Sequence, residues 1–154
     1  MHRHSNAGGI LSTGRKVPSR HSGAPCLPPP LRMQEGKVEL GRRGEAIAEA
    51  SLAERGGVVL GRNYRAGPKE IDLIAARSGV VAFVEVKTRT TRTGGTLLEP
   101  IGALKRRAVV TAARRWIHEN GRGGSVYRFD AIGVDLRGAE AVIEHVPDAW
   151  RPGG

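Results

Sequence analysis

Apolar residues recur along the chain at two periods, and the alternation between them predicts the elements. From Val38 to about Arg55, Leu40, Ile47, Ala48 and Leu52 return at helical spacing, and Gly56-Gly57 supplies the stop. "VVLGRNYR" (Val58 to Arg65), "EIDLIAA" (Glu70 to Ala76) and "VVAFVEVKT" (Val80 to Thr88) then read as strands. They are separated by the turn "AGPK" and a tight Ser78-Gly79. A second helix is expected from about Pro100 to Asn120, with Gly121 ending it. Its apolar side holds Val109, Ala112, Ala113, Trp116 and Ile117, while Arg107, Arg114 and His118 share another face. Two more strands follow, Val126 to Leu136 and Ala141 to Val146. The order α-β-β-β-α-β-β predicts an α/β domain, a small mixed central β-sheet flanked by α-helices.

Residues 1–36 break the pattern. They are rich in Gly, Ser, Pro and His and have no hydrophobic period, so they are expected to form a disordered tail ahead of one domain over residues 37–150 and a short flexible end at 151–154. Met33 lies just before the first periodic segment and offers an alternative start. Within the tail, residues 1–32 carry five cations and no acid, which leaves +5 of the formal net charge of +10 for the remainder. A basic, arginine-rich body favours phosphate-bearing partners. One cysteine, Cys26, excludes an internal disulfide and fits a reducing, cytoplasmic setting. No apolar run of roughly 18 residues is present to suggest a membrane span.

The candidate chemistry lies in the hairpin. If Ser78-Gly79 is a two-residue loop, Asp72 falls across from Glu85, and Glu70 across from Lys87. A three-residue loop would displace every partner by one position. Like charges facing each other on neighbouring strands are destabilising, and a cation between them reverses the sign. Two converging carboxylates suit Mg²⁺ or Mn²⁺, with waters left for a substrate phosphate to displace. Lys87, on the same face as Glu85, would orient water or neutralise developing charge, so the chemistry implied is phosphodiester hydrolysis. The competing reading is a solvated strand face in which Glu70 and Lys87 form an ordinary cross-strand pair.

Five blocks in order, "GRRGEAIAEASL", "NYRAGPKEIDLIA", "FVEVKTR", "ALKRRAVVTAARRWI" and "YRFDAIGV", resemble the YraN family of uncharacterised bacterial proteins. That family is similar to the restriction-endonuclease-like, PD-(D/E)XK nucleases, a group that includes Holliday junction resolvases. The resemblance implies a restriction-endonuclease-like core. It implies Asp72 and Glu85 as metal-binding acids, the Val86 backbone carbonyl as a further ligand, and Lys87 as the catalytic lysine. Glu45 would approach the metal or its waters from the first helix, and Lys105 would contact phosphate from the second. Asp130 recurs in the family's pattern without an assigned role. Gly67, Pro68, Lys69 and Glu70 depart from the glycine-rich turn that family members carry, though Glu70 and Asp72 are retained.

Arg89 and Arg92, on the loop leaving the motif, are candidate phosphate contacts, as are Lys105 and Arg106, which otherwise read as a solvated helix face. His118 and His145 read as structural or exposed, and Trp116 as core rather than a stacking platform. The function expected is a Mg²⁺- or Mn²⁺-dependent endonuclease acting on nucleic acid, DNA first. The alternatives are a non-catalytic nucleic-acid-binding module and a protein-interaction subunit. A homodimer is compatible with the sequence.

Overall fold

In the computed structural model, which describes residues 36–91 and 97–153, the elements follow the expected order: helix α1 (Lys37–Glu54), strands β1 (Val58–Ala66), β2 (Lys69–Arg77) and β3 (Val80–Arg89), helix α2 (Ala103–Asn120), and strands β4 (Val126–Asp135) and β5 (Val142–Trp150). The first 35 residues, Met33 among them, lie outside the described residues. The strands form one mixed sheet in the order β1-β2-β3-β4-β5. Every neighbouring pair is antiparallel except β3 and β4, which α2 connects in parallel.

Each face of the sheet is closed by one helix. Ala48 and Leu52 of α1 bury against Leu73, Ala75, Ala82, Val84, Ile132 and Val134. On the opposite face Val109, Ala112, Ala113 and Trp116 of α2 pack against Ile71, Ile74, Val81, Phe83 and Phe129. Trp116 meets Phe83 edge-on at 5.6 Å, so it belongs to the core as expected. Ile117, expected on the same apolar side, is only half-buried.

The β2–β3 hairpin turns at Ser78 (φ 50°) and Gly79 (φ 77°), the two positive φ values of a type I′ turn. Its ladder runs from Arg77↔Val80 to Leu73↔Val84, the register that a two-residue loop requires. Two boundaries differ from expectation. Helix α2 begins at Ala103 rather than Pro100, because Gly102 is extended (ψ 152°) and Arg106 N–H makes an early helical bond to its carbonyl. Strand β5 continues past Pro147 to Trp150. It is an edge strand, where a residue without an N–H is tolerated, and the ladder to β4 is irregular between Phe129 and Ala131.

Candidate active site at the β2–β3 fork

Strands β2 and β3 part after Leu73↔Val84, and β3 continues in register with β4 as far as Arg89. Beyond this fork the ladder no longer supplies Val86 N–H with an acceptor on β2. The Asp72 side chain does: Val86 N–H donates to Asp72 Oδ2 at 2.7 Å. The flat facing of Asp72 with Glu85, and of Glu70 with Lys87, is therefore corrected. Glu70 pairs instead with Arg65 on β1, at an ion-pair distance of 3.5 Å.

Asp72 reaches this position because β1 and β2 both roll at one level. Arg62 bonds Glu49 of α1 while Tyr64, two residues on, bonds Glu119 of α2, so β1 changes face at Asn63, whose φ is 45°. On β2 the same change separates Leu73, packed beneath α1, from Ile71, packed beneath α2. Regular strands keep residues two apart on one face. The break falls at Asp72 and leaves it at the seam between the two layers.

Glu85 is 3% exposed and lies on the α2 side with Phe83. Lys87 Nζ is 3.2 Å from its Oε1, and Lys105 Nζ, from the first turns of α2, is 3.1 Å from its Oε2. The Lys105 contact is close in distance but poor in angle, so Oε2 is shielded from water without an aligned donor. Burial first, then the charge of Glu85, pushes the Asp72 carboxyl up to about 7, against the Val86 N–H and Lys105; Glu45 adds to the rise. Burial also works to lower the Lys105 ammonium, but the charge of Glu85 and its contact outweigh this, and the net direction is upward.

Glu45 is brought near by a close approach of α1 to β3. A Cβ on Gly44 would lie 1.7 Å from Thr88 Oγ1, so only glycine permits this packing, although glycine inside a helix costs about 1 kcal/mol relative to alanine. Asn63 Nδ2 then donates to Glu45 Oε2 at 2.9 Å. Gly44 and Asn63 are positioning residues that sequence reasoning missed. Their signals were a glycine within a helical period and an asparagine within a strand.

The structure thus gathers Asp72, Glu85, Lys87, Lys105 and, at its margin, Glu45, with Val86 at the fork. Arg89 stands at the end of β3 with its side chain 19% exposed and bound to Glu99 at 2.9 Å. Arg92 lies outside the described residues. Arg106 is not gathered with these groups; it lines cavities beside Trp150. His145, expected to be structural, bonds Asp130 of β4 and Arg55. Among the described residues no three His, Cys, Asp or Glu side chains converge to hold a metal ion, so a cation here would rely on two carboxylates and a backbone carbonyl. The shielded Glu85 Oε2 and the charge conflict between Asp72 and Glu85 fit such a cation, which would relieve both.

Residues 44–134 match the model of the uncharacterised protein family UPF0102, a span that holds every element of this site. The chain belongs to UPF0102. This is the YraN family that the sequence blocks resemble. A UPF0102 protein of Anaeromyxobacter dehalogenans is 42% identical over 123 residues, covering 77% of this chain and 92% of the relative. UPF0102 proteins of Syntrophotalea carbinolica and Myxococcus xanthus are 40% and 37% identical, over 74% and 75% of the chain and 93% and 91% of their own lengths. No helix among the described residues is long and apolar enough to cross a membrane.

Proposed function

We propose that this UPF0102 protein is a Mg²⁺- or Mn²⁺-dependent phosphodiester hydrolase acting on DNA. The observation that carries the reading is the pairing of buried Glu85 with half-buried Asp72 at a strand fork, with two ammonium groups beside them. Asp72, Glu85 and the Val86 carbonyl would hold the cation. When bound, it supplies Lewis-acid polarisation of the scissile phosphate and a lowered pKa for water. Lys87, half-exposed, keeps a positive charge at the mouth of the site, where it orients the attacking water and neutralises charge developing on phosphate. Lys105 approaches Glu85 from the other side and can follow the substrate phosphate. Glu45, tied to Asn63, adds negative potential that favours the cation.

Incubating the full chain with branched, nicked and linear DNA and either metal tests this. Cleavage is expected to fall at least 100-fold in Asp72→Asn and Glu85→Gln, an effect of the size seen on losing one electrostatic stabiliser, about 10²–10³. Cleavage unchanged by both substitutions overturns the assignment. A second reading, a non-catalytic nucleic-acid-binding module, is favoured by one observation: Lys87 and Lys105 already compensate the charge of Glu85. It predicts metal-independent, salt-sensitive binding without cleavage.

A further inference from the structure

Along the flank of α2, a cavity of about 500 Å³ opens between the helix and the end of β5. Arg106, Arg107 and Arg114 of α2 line it, with Trp150 and Arg151 on the opposite wall, and no acid is among its lining residues. Among the described residues Arg106, Arg107 and Arg114 make no ion pair, whereas Arg151 is held by Asp148 at 2.7 Å. Two donors here, Arg106 Nε and Trp150 Nε1, are shielded from solvent and have no acceptor. Arg106 also borders a smaller cavity of about 250 Å³ that contains Glu99 and Glu144, so the acid-free face is the larger one. Three guanidinium groups without a counter-charge in one concavity repel one another unless an anion enters, and the planar guanidinium is the side chain best matched to phosphate oxygens.

The spacing indicates which anion. Arg107 and Arg114 are seven residues apart, about 10.5 Å along the helix axis at 1.5 Å per residue. That is too far for one phosphate to bridge, but a nucleic-acid strand carries a charge about every 3.4 Å of axis, so the row faces roughly three phosphates.

We propose that this cleft binds the phosphodiester backbone of a nucleic acid. The proposal goes beyond the hydrolase reading and does not require that Asp72 and Glu85 cut. Arg106 adjoins Lys105, so a strand held in the cleft runs along α2 toward Glu85.

The test is anisotropy of a labelled DNA oligonucleotide with the full chain, in chelator and at several salt concentrations. Arg107→Gln/Arg114→Gln, both exposed positions, is expected to bind at least ten-fold more weakly and to flatten the slope of log affinity against log salt by about two, one for each phosphate no longer neutralised. Arg107→Lys/Arg114→Lys should retain most of that slope. Circular dichroism confirms that the variants fold. Any of three results overturns the proposal: no oligonucleotide binding by the parent chain, an unchanged slope in the glutamine variant, or displacement of the oligonucleotide by equimolar pyrophosphate, which would identify a small phosphate ligand instead.

Discussion

Two aspartates in this sheet mend broken ladders, and their surroundings are opposite. Asp130 sits where the β4–β5 ladder slips, and its Oδ1 accepts from Asp148 N–H at 3.0 Å. Asp72 sits where β2 and β3 part, and its Oδ2 accepts from Val86 N–H at 2.7 Å. Around Asp130, however, Arg128 donates two bonds, at 2.7 and 2.9 Å, and His145 adds a third at 2.8 Å. Arg55 approaches the other imidazole nitrogen at 3.2 Å. Because arginine can only donate, Nδ1 accepts and Nε2 carries the proton toward Asp130. Burial works to raise the Asp130 carboxyl, but His145, Arg128 and the Asp148 N–H outweigh it, and the net direction is down. Asp72 instead is burdened first by burial and then by the charge of Glu85, and its carboxyl is raised. The same backbone repair is thus saturated in one place and left in charge conflict in the other, and a conflict kept in a folded chain marks a place for a ligand.

The largest effect that tests this contrast is the loss of Asp130. Asp130→Ala leaves Arg128, His145 and Asp148 N–H without their acceptor, and about 3–5 kcal/mol of stability should be lost in urea unfolding. Asp72→Asn keeps an oxygen for Val86 N–H and removes the conflict, so at pH 8 it should unfold no earlier than the parent chain. Equal losses in the two variants would remove the distinction.

Next in size is the dependence on pH, where the two aspartates act with opposite signs. The folded state raises Asp72 from 3.8 to about 7, so its ionisation opposes folding. Its unfavourable contribution is absent below about pH 4, grows as pH rises toward 7, and is constant above that. Asp130 is lowered, so its stabilisation is present above its ordinary pKa near 4 and disappears as pH falls through the folded value. Unfolding measured from pH 3 to 8 should show Asp72→Asn gaining on the parent chain between pH 4 and 7. The deficit of Asp130→Asn should narrow only below pH 4. A flat difference for Asp72→Asn would mean that neither burial nor Glu85 burdens it.

Much of this arrangement was legible in the sequence because it is fixed by local rules. Ser78-Gly79 specified its own turn, and that turn set the register as far as Leu73↔Val84. Alternation placed Lys87 beside Glu85, and the structure keeps them at 3.2 Å. What was hidden depends on contacts distant in sequence. The face change at Asn63 and Asp72 breaks the very period used to assign faces. Lys105 reaches Glu85 only because α2 docks across β2, and its place came from family resemblance rather than from spacing. Strand β5 was cut short at Pro147 because a proline reads as a stop until the strand is known to lie at an edge.

The smallest effect concerns how Asp72 is held at the seam. Asn63 has φ 45°, a left-handed conformation that asparagine tolerates, glycine adopts freely and alanine resists by roughly 1–2 kcal/mol. Asn63→Gly and Asn63→Ala both lose the bond to Glu45, so the difference between them isolates the backbone. Asn63→Ala should therefore be less stable than Asn63→Gly by about 1 kcal/mol in paired urea unfolding, even though alanine is ordinarily the better strand residue. Equal stabilities, or alanine ahead, would mean that β1 does not roll at Asn63. The face change that sets Asp72 apart from Asp130 would then need another cause.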